Sequence, residues 1–187
     1  MVRFQKVTKI YPRAAGGAAA LRDVTFGVAK GEFVFLTGPS GAGKSTILKL
    51  LYMDERPSSG EVRVSGFSSR DVKRREIPEL RRKLGIIFQD FQLLEDRTAE
   101  GNVAFARALV NDPFVLIADE PTGNLDERAT RGIFQLLREV NAAGTAVLMA
   151  THNLELVRSS DYRCIELNHG EIVFDSAEVP AISVEMD

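Results

Sequence analysis

Hydrophobic and polar residues follow two different periods along this chain, and the period predicts where strands and helices lie. Residues 2–10 and 21–29 alternate polar and apolar side chains, which is typical of strands with one exposed face. Residues 31–38, 114–118 and 145–151 carry nearly continuous apolar runs, which are typical of parallel strands covered on both faces. The pattern therefore predicts an antiparallel N-terminal layer followed by buried parallel strands.

Helical periodicity separates these strands. The clearest case is an amphipathic helix over 126–143, which Asp126 caps and Gly144 ends. The other predicted elements, in chain order, are a helix at 43–52, a strand at 60–66, a helix at 77–84, a strand at 85–88 and a hairpin at 162–174. Residues 13–20 are rich in Gly and Ala and indicate a flexible loop. Alternating strands and helices predict an α/β fold with a mostly parallel sheet.

Composition limits the function classes, because 187 residues, 44% of them hydrophobic, predict one domain with a sizeable core. The formal net charge of −2 gives no general attraction to nucleic acid. The single cysteine, Cys164, has no internal disulfide partner. No apolar run approaches the roughly 18 residues of a membrane span, and residues 1–12 lack a signal-peptide run. We therefore expect a cytosolic protein that needs a partner to work at a membrane.

The segment GPSGAGKST, residues 38–46, matches G-x-x-x-x-G-K-[ST] in full and lies between an apolar strand and a predicted helix. Glycines let backbone N–H groups surround phosphate oxygens, and the helix N-terminus adds partial positive charge. In this chemistry Lys44 reaches the β- and γ-phosphates, and Ser45 offers its hydroxyl to Mg²⁺. The residues predicted to bind the phosphates of ATP are Gly38, Ser40, Gly41, Ala42, Gly43, Lys44, Ser45 and Thr46. The alternative, a glycine-rich structural turn, is disfavoured by the flanking strand and helix.

An acidic pair follows the apolar run at 114–118. A carboxylate at the end of a strand beside the phosphate loop holds Mg²⁺, directly or through water, and we assign that role to Asp119. Glu120, one residue further on, is placed to polarise an attacking water. Taken alone, two acids here fit the start of a helix equally well, but the phosphate loop favours the metal and base roles.

With these motifs the chain resembles the ATP-binding cassette (ABC) ATPase family. The resemblance implies that Gln89, in IFQDF, contacts Mg²⁺ and the attacking water, and that His152, in ATHN, contacts the γ-phosphate. It also implies that Tyr11, in KIYP, stacks on adenine, and that Asp126, in GNLD, belongs to a loop that crosses a dimer interface. Each residue alone fits an ordinary structural role, and their order along the chain carries the resemblance. The implied catalytic residues are Glu120, His152 and Gln89, and the implied metal ligands are Ser45, Gln89 and Asp119.

The resemblance covers about residues 1–175 and sets expectations for the whole molecule. It implies one ATP-binding domain over 1–187, with an antiparallel β layer formed by 1–35 and 60–66 and a P-loop NTPase core over 36–175. It implies ATP and Mg²⁺ as cofactors, and an integral membrane subunit as partner at the cytoplasmic side of the cell membrane, without nucleic acid. The amino-acid sequences around these motifs resemble family members that act in bacterial cell division more than those for lipoprotein release or macrolide export.

The chain departs from the family between Ala106 and Arg107. ABC ATPases carry a helical subdomain between the glutamine loop and the acidic strand, and it ends in a signature resembling LSGGQ. This sequence contains neither the signature nor the several dozen residues that precede it in the family. In the family, the signature of one subunit caps the γ-phosphate bound by the other. The resemblance therefore implies a homodimer where that region is present.

The predicted core closes without the subdomain, since residues 89–113 exceed the dozen or so that a parallel crossover needs. Within them, 102–110 predicts a helix with apolar residues on one face. The loss affects catalysis instead, because the signature stabilises charge on the transferring phosphoryl group. Two functions stay open: an ATPase that drives a membrane complex, and a scaffold that binds ATP without hydrolysing it. A P-loop kinase is a third class, against which Gln89 and His152 argue.

Overall fold

The computed structural model describes residues 1–12, 18–87, 111–123 and 125–177. Its strands are β1 Val2–Ile10, β2 Ala19–Val28, β3 Phe33–Thr37, β4 Ser59–Val64, β5 Phe67–Ser68, β6 Leu84–Ile87, β7 Val115–Asp119, β8 Ala146–Ala150, β9 Arg163–Asn168 and β10 Glu171–Asp175. Its helices are α1 Lys44–Leu51, α2 Ile77–Arg82, α3 Glu127–Ala142 and α4 Leu154–Arg158. Gln89, the junction between Ala106 and Arg107, and the helix predicted over 102–110 lie outside the described residues. Within the described ranges, no helix is long and apolar enough to cross a membrane.

Strands β2, β1, β4 and β5 form an antiparallel sheet in that order. The alternation of β1 begins as predicted, with Phe4 fully buried. A register shift between Phe4 and Val7 then places a β-bulge around Lys6, whose φ is 47°. A bulge adds an unpaired residue and so reverses which side chains face inward. As a result Lys9 is buried and Ile10 is exposed at the far end of the strand.

Strands β10, β9, β3, β8, β7 and β6 form a second sheet in that order, and only β10 pairs antiparallel within it. Strand β3 lies between β9 and β8, and all five of its residues are buried. The prediction that 1–35 belong to the antiparallel layer is wrong for the last three residues, because Phe33, Val34 and Phe35 pair with parallel strands. On the N-terminal side, the antiparallel layer ends at Val28.

Helices cover both faces of the parallel sheet, which confirms the predicted α/β fold. Helix α1 lies between the two sheets, and its buried residues join one apolar cluster with side chains from both. On the opposite face, Leu137 of α3 and Leu156 of α4 pack into a second cluster with β3. In that cluster the rings of Phe33 and Tyr162 stack with their centroids 4.3 Å apart. Strand β3 is thereby fixed on both sides, and the phosphate loop begins at its C-terminal end.

Candidate functional site

Three loops that follow parallel strands meet at one edge of the larger sheet. Ala150 of β8 pairs with Leu36 of β3 on one side and with Asp119 of β7 on the other. Beyond the strands, Glu120 N donates to Ala150 O (2.9 Å). Likewise, Thr151 N donates to Leu36 O (3.1 Å). The C-terminal edge of a parallel sheet is where α/β folds bind ligands, and here it brings the phosphate loop, the acidic pair and the loop after β8 together.

A cavity of about 370 Å³ opens at this edge, which is the size range of small-molecule sites. The lining residues are Ala20, Ser40, Gly41, Ala42, Gly43, Lys44, Ser45, Thr46, Asp119, Glu120 and His152. The structure therefore brings together residues that the sequence placed in separate motifs. A larger cavity of about 740 Å³, which includes Met1 and Arg163 in its lining, contains none of the predicted site residues.

The phosphate loop has a backbone shape that requires glycine. Gly38 and Gly43 have φ values of 131° and 110°, in the left-handed region that glycine favours. A Cβ on Gly43 would lie 2.7 Å from Ala20 O. The turn between β9 and β10 supports the loop from outside, because Gly170 N donates to Ala42 O (3.0 Å). Neighbouring backbone thus supports the loop from outside, and within the loop Ala42 N donates to Pro39 O (3.1 Å).

A Gly43→Ala variant is expected to lose about 2–5 kcal/mol of unfolding free energy, since it combines a strained φ with a close contact to a backbone oxygen. Gly144→Ala is the matched control, because Gly144 has a φ of 101° and among the described residues no atom contacts its Cβ position. We expect the control to lose about 1–2 kcal/mol. Urea unfolding of both variants measures the difference, and equal losses would contradict a tight approach at Gly43.

The Lys44 side chain lies across the loop. Its Nζ donates to Gly38 O at 2.7 Å and to Pro39 O at 3.1 Å. Among the described residues, no carboxylate forms an ion pair with this ammonium group. A phosphate stabilises a cation more than two neutral carbonyl oxygens do, because its oxygens carry a full negative charge. The ammonium is therefore available to an anionic ligand that enters the cavity.

Ser45 and Asp119, the two described residues predicted to hold a cation, both line the cavity. Burial raises the pKa of the Asp119 carboxyl above its usual value, the nearby Ser45 side chain lowers it, and the adjacent Glu120 raises it. Hydroxyl and carboxylate oxygens are hard ligands, and Mg²⁺ is usually held by one or two carboxylates with water and phosphate oxygens completing its shell. The two side chains therefore fit Mg²⁺ together with a bound phosphate.

Glu120 and His152 contact each other at the mouth of the cavity. Glu120 Oε2 lies 2.8 Å from His152 Nδ1 and accepts from His152 N at 3.3 Å. The Glu120 side chain is 10% exposed and the His152 side chain is 69% exposed. Glu120 has a φ of 48°, a conformation that is uncommon outside glycine and recurs at functional sites. A sheltered carboxylate beside an exposed imidazole is an arrangement suited to moving a proton to or from bound water.

Among the described residues, three predicted site residues are not part of this cavity's lining, namely Gly38, Tyr11 and Asp126. Asp126 is the N-cap of α3, and its Oδ1 accepts from Ala129 N at 2.7 Å. Tyr11 directly follows β1, and Lys9 Nζ lies 4.8 Å from its ring centroid. Gln89 lies outside the described residues. The dimer contact of Asp126 and the adenine contact of Tyr11 stay predictions.

The chain has close relatives of known family. Residues 21–102 match the profile of the ABC transporter family. The chain is similar to the cell division ATP-binding protein FtsE of Escherichia coli K12, at 41% identity over 92% of this chain and 97% of that protein. This chain belongs to the ABC transporter ATPase family. Membership confirms the family resemblance and identifies an ATP-binding, ATP-hydrolysing class of protein.

Two further relatives of this ABC ATPase agree with that assignment. FtsE of Mycobacterium tuberculosis is 40% identical over 94% of this chain and 95% of its own length. A solved dimeric ATP-binding cassette, in a post-hydrolysis state with ADP and phosphate bound, superposes with a TM-score of 0.82. That cassette is 29% identical, and the match covers 94% of this chain and 97% of the cassette. The structural match confirms the P-loop NTPase fold with its additional antiparallel layer.

The relatives are longer than this ABC ATPase within the aligned region. The alignment with Escherichia coli FtsE extends over 218 positions, whereas this chain has 187 residues, so at least 31 positions (218 less 187) have no residue here. This agrees with an internal loss relative to the family. That the loss lies between Ala106 and Arg107 stays a prediction, because both residues are outside the described ranges.

Sequence reasoning missed several residues that shape the site. Ala20 was assigned to a loop, yet it belongs to β2 and lines the cavity. Gly170 lies within the predicted hairpin at 162–174, and no sequence signal shows that it supports the phosphate loop. Helix α4 was not predicted, although Asn153 is a typical N-cap residue. In the structure the Asn153 side chain accepts from Leu156 N at 3.0 Å and so fixes the chain just after His152.

Proposed function

We propose that this chain is the ATP-binding and ATP-hydrolysing subunit of an ABC-type membrane complex in bacterial cell division. The observation that carries the proposal is a single cavity lined by Lys44, Ser45, Asp119, Glu120 and His152. These residues supply a phosphate-binding cation, oxygen ligands for a metal, and a base, which are the parts that phosphoryl transfer requires. The link to cell division is supported by relatives named FtsE at 41% and 40% identity.

In the proposed reaction, the triphosphate lies along the backbone N–H groups of 38–46 at the N-terminus of α1. Lys44 moves its ammonium from the loop carbonyls to the β- and γ-phosphate oxygens. Glu120 accepts a proton from a water molecule whose oxygen attacks the γ-phosphorus. The bond from the γ-phosphorus to the bridging oxygen breaks, and ADP and phosphate leave. His152, beside Glu120, donates a hydrogen bond to a γ-phosphate oxygen.

Ser45 and Asp119 are the proposed ligands of Mg²⁺, with Gln89 as a third ligand that also orients the attacking water. When bound, Mg²⁺ neutralises charge on the β- and γ-phosphates. The lining of one cavity by both Ser45 and Asp119 supports this assignment, because it brings the two oxygen ligands to the same site. For Gln89 the support is the sequence motif IFQDF.

The proposed partner is an integral membrane protein of the FtsX type, through which ATP hydrolysis controls cell-wall hydrolases at the septum. This places the chain on the cytoplasmic side of the inner membrane. A homodimer, with Asp126 near the interface and Tyr11 stacked on adenine, completes the proposal. Similarity to a solved dimeric cassette supports dimer formation.

A second function is favoured by one observation, the loss of at least 31 positions relative to FtsE (218 aligned positions against 187 residues). If the lost residues include the signature, an active site keeps its phosphate loop, metal ligands and base but lacks the cap from a second subunit. Such a protein binds ATP and recruits its partner without turnover. The cavity described above is present in this chain despite that loss, which is why ATP binding is common to both functions.

An ATPase assay on the purified chain, with and without the membrane partner in lipid vesicles, tests the proposal. We expect phosphate release that requires Mg²⁺ and that increases when the FtsX-type partner is present. ATP binding without release in either condition would favour the scaffold. Stimulation only by membrane subunits of lipoprotein-release or macrolide-export systems would replace cell division with transport.

A further inference from the structure

Lys9 is a buried cation that the proposed phosphate chemistry does not use. The residue is 8% exposed, because the bulge around Lys6 turns it inward. Its ammonium donates to Glu55 Oε2 at 2.6 Å and to Arg56 O at 2.9 Å. The same ammonium lies over the ring of Tyr11, 4.8 Å from the centroid. A single charged group therefore joins the aromatic ring to the turn that follows α1.

The turn that holds Glu55 is itself attached to the helix of the phosphate loop. Glu55 N donates to Lys49 O at 3.3 Å, and Asp54 N donates to the same oxygen at 3.0 Å. Lys49 belongs to the last turn of α1, which begins at Lys44. Contacts thus run without a break from the phosphate loop, through α1 and Glu55, to the Lys9 ammonium.

Strand pairing also brings Tyr11 towards the cavity. Ile10, the residue before it, pairs with Ala19 of β2. Ala20, the next residue of β2, lines the phosphate cavity. Tyr11 therefore directly follows a strand end whose partner strand contributes to the cavity wall.

A cation over an aromatic ring is attracted by the negative potential of the ring face, and the attraction is larger when the cation is desolvated. Lys9 is desolvated and its position is fixed by two hydrogen bonds. The Tyr11 ring is consequently held by one face, and a base can stack on the other. A ring that is already oriented loses less conformational freedom when the base binds.

We propose that Lys9 is a positioning residue for nucleobase recognition, which orients Tyr11 through the contact of its ammonium with the ring and through its ion pair with Glu55. The proposal rests on the proposed stacking of Tyr11 on adenine. It predicts that Lys9 affects the recognition of the base and leaves the recognition of the phosphates unchanged. An ion pair that only stabilises the fold would not affect recognition of the base more than recognition of the phosphates.

The test compares the affinity of the purified chain for ATP with its affinity for inorganic tripolyphosphate, which lacks the base. We expect Lys9→Met to weaken ATP binding by about threefold to tenfold with tripolyphosphate binding unchanged. Lys9→Arg, which keeps the cation, should retain most of the ATP affinity. Glu55→Gln removes the anchoring charge while keeping the side-chain shape, and provides a second variant with the same expected selectivity. Lys30→Met, at an exposed lysine in the turn after β2, is the matched control.

The Tyr11→Ala variant separates this proposal from the function on which it rests. If Tyr11→Ala leaves the ratio of the two affinities unchanged, the stacking role of Tyr11 fails and the role of Lys9 fails with it. If Tyr11→Ala lowers the ratio but Lys9→Met and Glu55→Gln do not, only the Lys9 proposal is overturned. Equal weakening of both ligands by Lys9→Met also overturns it. In the Tyr11→Ala background, Lys9→Met should cause no further change in the ratio, since Lys9 acts through the ring.

Discussion

Lys44→Ala is expected to weaken ATP binding by roughly tenfold to 150-fold, or about 1.5–3 kcal/mol, which is the usual contribution of hydrogen bonds to a charged group. The physical reason is the position of the ammonium group. It lies at the cavity, and among the described residues its hydrogen-bond acceptors are the loop carbonyls of Gly38 and Pro39, so phosphate oxygens can replace neutral acceptors with charged ones. Titration of the purified chain with a fluorescent ATP analogue measures the change.

Lys49→Ala is the matched control for this variant. Lys49 has the same side chain, lies on the same helix and is exposed on its outer face, whereas Lys44 lines the cavity. Removing it changes the net charge of the chain by the same amount, so a general electrostatic effect would weaken both variants equally. A Lys44→Ala protein that binds ATP as tightly as Lys49→Ala would contradict the assignment of the cavity to the phosphates.

Much of this site could be predicted from the sequence, because the elements that carry it have strong local signals. The apolar run at 145–151 contains β8, and no polar residue interrupts it because both faces of the strand are covered. The helix predicted over 126–143 is observed as Glu127–Ala142, with Asp126 as its cap. Motif residues follow directly on these elements. Parallel strands end at one edge, and therefore the fold alone brings the motifs together.

The features that could not be predicted from the sequence depend on backbone geometry. Strict alternation over 2–10 turns Ile10 inward and Lys9 outward, and the bulge at Lys6 produces the reverse. A bulge leaves no distinct mark in residue types, since the left-handed residue here is a lysine. In the same way, Gly170 supports the phosphate loop through its backbone N–H, which every residue except proline has. Sequence patterns report side chains well and backbone contacts poorly.

The internal loss relative to FtsE has different expected consequences for ATP binding and for ATP hydrolysis. Lys44, Ser45 and Asp119, which are proposed to bind the phosphates and Mg²⁺, line the cavity. In the family, the signature that caps the γ-phosphate comes from a second subunit, and this sequence contains no such signature. Charge stabilisation of this kind is a large term in catalysis. We therefore expect ATP affinity to resemble that of a complete cassette while turnover is much slower.

Glu120→Gln is expected to lower phosphate release by about 10²–10⁴-fold while ATP binding is retained. Glutamine keeps the shape of the side chain and an oxygen that can accept from His152, but it cannot take a proton from water. The contact of Glu120 Oε2 with His152 at 2.8 Å, and the 10% exposure of the carboxylate, make it the group placed to act as base. Single-turnover phosphate release, with ATP binding measured in parallel, separates the chemical step from affinity.

Glu127→Gln provides the control, because Glu127 is an exposed carboxylate whose ion pair, within the described part of the chain, is with Arg131 on the surface of α3. Exposed pairs of this kind contribute little to stability, so this variant should behave as the wild type does. If the wild type and Glu120→Gln release phosphate at the same rate, the absolute rate decides the interpretation. At a measurable rate, equality refutes Glu120 as the base. At the rate of ATP breakdown in buffer, it means that the cavity binds ATP without hydrolysing it, and the scaffold function then replaces the ATPase.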